Sequence, residues 1–276
     1  TLNNSIYTGD NSLHVHLDSI SGDANVGVGV NVAMVTLKDA QPPPVVSVTI
    51  LAPSVIEGIT TQAVFNLSHQ ASTAVTVNLS FSGSAQAGND FAAASSVIIP
   101  ALTDSVLLDV VTHDDGIFAG DKDIVVSIAS VEGASATVSP TNDNASVTVN
   151  DAQSAPEISI SAVSGSITEG DDAVFTISAS VGASEAVTVN LSYSGSAQDG
   201  TDFTGQASVI IPATQTSATV TLSTVNDGLF AGNKNIVATI ATVNGASADI
   251  SAINNMVSVT LNDAQSAPEI SISAVA

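Results

Sequence analysis

The tripeptide Asp-Ala-Gln stands at Asp39, Asp151 and Asp263, at a constant spacing of 112 residues. Longer stretches keep the same offset. AVTVNLSFSGSAQAGNDF (Ala74 to Phe91) returns as AVTVNLSYSGSAQDGTDF (Ala186 to Phe203), VIIP at Val97 returns at Val209, and FAG at Phe118 returns at Phe230. Self-similarity at a fixed period makes each period one structural unit. Residues 42–152 and 154–264 are thus two complete units. Residues 1–40 read as the C-terminal part of a preceding unit, because IYTGDNSLHVHLDSISG matches IFAGDKDIVVSIASVEG. Residues 266–276 supply the first strand of a following one, so the segment reads as part of a longer array.

Within a unit the apolar period is two. VVSVTILA, AVFNLSH, AVTVNLSFSG, SSVIIP, SVLLDVVTH, DIVVSIASV and ASVTVND alternate or form short apolar runs, separated by Gly, Asn, Asp and Ser. These stretches predict seven short strands in an all-β, immunoglobulin-like sandwich of two sheets, repeated in tandem. The connectors DAQPPP and DAQSAP are short. Proline fixes φ and stiffens such a link, so a semi-rigid rod is expected.

Charge excludes several roles. The chain has 3 Lys, no Arg and 26 acids, a net charge of −23. Nucleic acid needs a cationic face to displace counterions, and an anionic membrane would repel this surface. No apolar run approaches the length of a membrane span, so no membrane insertion is expected. The N-terminus lacks the charged start and apolar core of a signal peptide, so the segment reads as mature or internal. Cysteine is absent, which removes disulfides and thiolate metal ligands. A strongly acidic surface stays soluble in salt and attracts divalent cations, and an extracellular setting fits it.

The order Glu57-Gly58, then GSAQAGNDF, VIIPA, DDGIF and a last strand ending in Asn-Asp resembles the Calx-beta domain. The resemblance covers both complete units and implies a seven-stranded β-sandwich. Acidic, Cys-free tandem copies look most like the extender regions of large bacterial surface adhesins. In calcium-binding members carboxylates cluster at one end of the sandwich. The matching positions here are Glu57, Asp90, Asp114, Asp115 and Asp151, then Glu169, Asp202, Asn226, Asp227 and Asp263. Calcium takes six to eight oxygens, which loops from distant strands could bring together. The resemblance therefore implies calcium as a cofactor, at a reduced site.

The departures from the family pattern are specific. Where calcium-binding members carry acids after the Phe, this chain has Ala119 and Lys122, then Ala231 and Lys234 in the next unit. Asn226 also replaces one Asp of the pair. Two of the three lysines thus stand at ligand-like positions, and the third, Lys38, precedes Asp39. One reading makes each ammonium a tethered counter-ion for carboxylates that calcium bridges elsewhere; the other leaves it on a solvated loop. Asp90 and Asp202 have a second reading too, as caps that accept hydrogen bonds from turn amides.

Other motifs carry less. His14 and His16 share a strand face, but Leu13, Val15 and Leu17 carry the apolar side, so the histidines are expected to face solvent. GVGV (Gly27 to Val30) lacks the third glycine of a dinucleotide loop. The serines have no nucleophile elbow or repeated His–acid partners, so an enzyme is not expected.

The expectation is an extracellular or bacterial cell-surface spacer: a rod of β-sandwich repeats with calcium as an added stiffener at the junctions. Its partners are neighbouring repeats of the same chain, other copies in a fibre, and a host or surface receptor bound through other domains. Two other classes remain at this point. One is an adhesive module binding carbohydrate or protein, which the scarcity of aromatic residues disfavours for sugars. The other is a calcium-responsive sensor. The spacer hypothesis also has a variant, in which exposed strand edges make the chain a subunit of a strand-exchanged fibre.

Overall fold

In the computed structural model, which describes residues 4–18, 21–22 and 32–273, the regular elements of the described chain are all strands. GVGV at 27–30 lies outside the described residues. An antiparallel hairpin comes first, β1 (Asn11–His16) with β2 (Val32–Leu37). Leu13, Val15, Met34 and Val35 stand about half exposed on it, and both histidines are exposed.

The first full repeat contains β3 (Val45–Ile50), β4 (Ser54–Ile56), β5 (Thr60–Leu67), β6 (Val75–Ser82) and β7 (Phe91–Ala92). It continues with β8 (Ser96–Ile99), β9 (Ser105–Thr112), β10 (Lys122–Glu132), β11 (Thr137–Val138) and β12 (Asn144–Asn150). One sheet runs β4-β12-β10-β6-β8 and the other β11-β3-β5-β9-β7. The second repeat copies this order in β13 (Glu157–Ala162), β14 (Ser166–Thr168), β15 (Asp172–Ala179), β16 (Val187–Gly195) and β17 (Phe203–Thr204). Its remaining strands are β18 (Ser208–Ile211), β19 (Ser217–Thr224), β20 (Lys234–Asn244), β21 (Asp249–Ile250) and β22 (Met256–Asn262).

The seven apolar stretches of each repeat all become strands, and three short ones join them. The first stretch becomes β3 alone, and the short β4 follows it after Pro53, as β14 follows Gly165 in the second repeat. β3 pairs with β5 in one sheet, whereas β4 runs parallel to β12 in the other. The Pro53 carbonyl accepts the Thr148 N–H at 3.0 Å, and Gly165 does the same for Thr260 in the second repeat.

Alternation along the strands places one side chain in two between the sheets. In the second repeat Ile158, Phe175, Ile177, Val220, Leu222 and Ile236 are fully buried in one cluster. In the first, Val46, Phe65, Val75, Val77, Ile99 and Val126 form the main cluster. Phe91, Val110, Ile124, Val147 and Val149 form a second one toward the acidic end. Each fully buried Val, Ile, Leu or Phe contributes roughly 1.5–3 kcal/mol, so each sandwich carries its own core.

The described residues form two compact units whose boundaries depart from the sequence repeats. One comprises the chain up to Asp114 with Asp121–Asn150; the other comprises Asp115–Gly120 with the residues from Asp151 on. No helix among the described residues is long and apolar enough to cross a membrane.

Candidate metal centre and its lysine substitute

The residues matched to calcium ligands lie in loops at strand ends. Glu57 and Glu169 follow β4 and β14, each held by an N–H donated to the last residue of the neighbouring strand, Asn150 or Asn262. The next residue is a glycine with positive φ, 80° at Gly58 and 92° at Gly170. A Cβ at Gly58 would lie 3.3 Å from Asp114 Cβ, so glycine permits the close approach of the two acidic loops.

Glu57 is 7% exposed, and within the first compact unit its carboxylate oxygen comes within 4.8 Å of one of Asp114. Two carboxylates at such separation repel each other, a charge that a divalent cation would offset. In the second repeat Asn226 occupies the position of Asp114, so the corresponding pair of acids is missing. Glu169 Oε2 is buried there and takes no hydrogen bond among the described residues.

The remaining matched acids have other company. Asp90 ends a tight turn: its N–H donates to the Gln86 carbonyl at 2.8 Å, and its Oδ2 accepts the Gln86 N–H at 2.6 Å. Its Oδ1 accepts from the Lys122 ammonium at 2.7 Å. Asp202 repeats this with Gln198 at 2.7 Å and Lys234 at 2.5 Å. In each of these aspartates one oxygen thus caps the turn, as the second reading has it, and the other pairs with lysine.

The lysine side chains are 20% and 23% exposed and their carboxylates 16% and 9%. Burial works against the charged form of Asp90. The Lys122 and Gln86 hydrogen bonds outweigh it and hold the carboxyl below its usual range. Asp202 is lowered by the same balance, with Lys234 and Gln198 as donors. The Asp202 hydrogen bond in turn raises the Lys234 ammonium, against a smaller opposing effect of burial. Lys38 behaves differently, for it pairs with Asp10 at 2.5 Å on an exposed surface.

The Asp of each Asp-Ala-Gln motif forms a clip. Asp151 Oδ2 accepts the Ala119 and Gly120 N–H groups at 2.6 and 2.7 Å, and Oδ1 accepts the Gln153 N–H at 2.8 Å. Asp263 does the same with Ala231, Gly232 and Gln265. Desolvation opposes its charge, yet the amides of Ala231, Gln265 and Gly232 keep its carboxyl low. Asp39 takes the Thr8 N–H at 2.6 Å and the Gln41 N–H at 2.9 Å, with the Gln41 amide as the main cause of a carboxyl lowered to about 2. The glycine in the clipped loop has φ of 77°, 77° and 78° at Gly9, Gly120 and Gly232, a conformation that L side chains rarely adopt.

The clipped loop carries an aromatic residue with a backbone bridge of its own. Phe118 N–H donates to the Gly182 carbonyl and its carbonyl accepts the Ser184 N–H, both at 2.9 Å, inside the second compact unit. Tyr7 makes the same two bonds with Gln70 and Ser72 in the first. A sequence signal for the clip exists: each Asp-Ala-Gln lies about 32 residues after an aromatic-x-Gly, and two such elements recurring together imply contact.

The model of the Calx-beta domain matches residues 45–153 and 151–265. Among solved structures, the calcium binding domain CBD12 of CALX1.1 is similar at 12% identity, covering 78% of this chain and 99% of that one, with a TM-score of 0.36. The Escherichia coli adhesin FdeC is similar at 16% identity over 85% of this chain and 69% of that one, with a TM-score of 0.28. For the Yersinia pseudotuberculosis adhesin InvE the values are 10%, 79%, 58% and 0.31. No curated protein matches the chain. Two matched domains, with the strand order and acidic loops described above, account for most of the sequence: the chain belongs to the Calx-beta family.

Proposed function

We propose that this chain is a non-enzymatic structural extender of an extracellular, adhesin-like surface protein, in which β-sandwich repeats set the distance between a cell surface and a binding domain elsewhere. One observation carries the reading: each repeat buries a core of its own, and only a short proline-containing connector separates the last strand of one from the first of the next. Units of this kind add length without needing a partner to fold. The charge of −23 keeps such an array soluble and turns it away from nucleic acid and anionic lipid. Its partners are then neighbouring repeats and, through other domains, a receptor.

Lysine has a role in this reading. At one end of each sandwich Lys122 or Lys234 supplies, from within the chain, the positive charge that the family otherwise draws from calcium. Calcium keeps a smaller part. Glu57 and Asp114 would hold it, and bound there it would neutralise two converging carboxylates. A tenfold calcium excess over its dissociation constant would add only about 1.4 kcal/mol.

Small-angle scattering with and without calcium tests the extender reading. The expected result is one elongated profile in both conditions, lengthening by at least ~30 Å for each added repeat, the span of a strand of about nine residues. A profile of freely jointed beads in calcium would overturn it.

A further inference from the structure

The third clipped loop is built like the other two and has no bridge of this kind among the described residues. Ala231 and Gly232 donate to Asp263 as Ala119 and Gly120 donate to Asp151, and the φ of Gly232 matches that of Gly120. Yet Leu229 is 68% and Phe230 48% exposed, whereas Ile117 and Phe118 are half-buried. A prepared loop that presents two large apolar side chains to water is a docking surface.

Two sockets for such a loop are already visible. Each is a three-residue edge, Gln70-Ala71-Ser72 or Gly182-Ala183-Ser184, whose central alanine is 1% or 4% exposed. Behind each, a residue with positive φ donates its N–H to the alanine carbonyl: Leu102 (φ 63°) at 2.9 Å and Thr214 (φ 66°) at 2.7 Å. The first residue offers a carbonyl, the third an N–H, and the aromatic residue of a clipped loop bridges them. Tyr7 and Phe118 fill these two sockets.

We infer that Phe230 is a plug for the equivalent socket of a further repeat of this chain's own kind. The partner is indicated by residues 266–275, which reproduce residues 154–163 letter for letter. Ile158 and Ile160 are buried in that strand, while their counterparts Ile270 and Ile272 are 93% and 101% exposed. The inference rests on the extender reading and gives it a specific device: each clipped loop joins the unit of the repeat that follows.

The test extends the chain, so that residues 266–275 run on into a second copy of residues 164–265. Amide hydrogen exchange is then compared in the two chains. The expected result is at least a tenfold slowing at Phe230, to match Phe118. Because the chain has no cysteine, a cross-link gives a second readout. Cysteines at Phe118 and Ala183 in the chain itself, and at Phe230 and the added alanine in the extended chain, should both close under mild oxidation. Unchanged exchange at Phe230 while the added core is protected would overturn the inference. So would failure of the Phe118–Ala183 pair to close in a folded chain. A docked plug in a chain that still scatters as jointed beads would sustain the plug and defeat the extender reading.

Discussion

The loops 113–122 and 225–234 share a skeleton and differ in surroundings. Each begins after a long strand, is clipped by the aspartate of Asp-Ala-Gln, and ends on a lysine paired with a turn aspartate. The first also has Asp114 close to a buried glutamate and a phenylalanine bridged to a socket. The second has Asn226 in place of one acid and an exposed Phe230. What stays constant is the lysine pair, which joins two residues of one compact unit in each repeat, and the clip, which in both cases lies within the second unit. What varies depends on neighbours and on metal.

The largest effects should fall on the shared part, and equally in both repeats. Asp90→Ala and Asp202→Ala each remove the carboxylate that pairs with a half-buried lysine and caps a turn. Each should cost about 2–3 kcal/mol in urea unfolding. A difference above ~1 kcal/mol between them would show that the two ends are not equivalent.

The next effect should separate the loops. Phe118→Ala removes a half-buried, bridged ring and should cost about 1–2 kcal/mol, whereas Phe230→Ala should stay within ~0.5 kcal/mol. Equal costs would contradict the difference in their surroundings.

This contrast also marks what sequence could reveal. The fold was legible because period-two stretches returned at 112 residues, and a repeat read twice is hard to misplace. The short strands β4 and β14 were not legible, since three residues are too few to show a period of two. At the acidic end, residue types identified the participants but not their pairing. Asp90 and Asp151 look alike as carboxylates, yet one meets a lysine and the other meets backbone amides, whose trace in the sequence is only the aromatic-x-Gly that recurs before each Asp-Ala-Gln. The socket is harder still, because its bonds are all main-chain.

Acid titration gives a smaller, shared effect. Asp90, Asp202 and Asp263 hold their protons less tightly in the fold than their ordinary value of 3.8. Their contribution is fully present above that value and is lost as the pH falls from it through their lowered folded values. Unfolding followed against pH should therefore show an acid limb beginning near pH 4, and Asp90→Asn with Asp202→Asn should flatten it. Calcium should give the smallest effect of all. By calorimetry, Asn226→Asp should strengthen binding several-fold by restoring the second repeat's acidic pair. No change would remove Glu169 and Asp227 from any metal site.

The central claim is that each sandwich closes its acidic end with a lysine–aspartate pair of its own, without metal. Thermal unfolding of the chain in excess chelator, against the same chain in millimolar calcium, tests it most directly. The account predicts cooperative unfolding in both, with midpoints within about 5 °C, the shift that ~1 kcal/mol produces in a domain of this size. Loss of the folded state on chelation would contradict it.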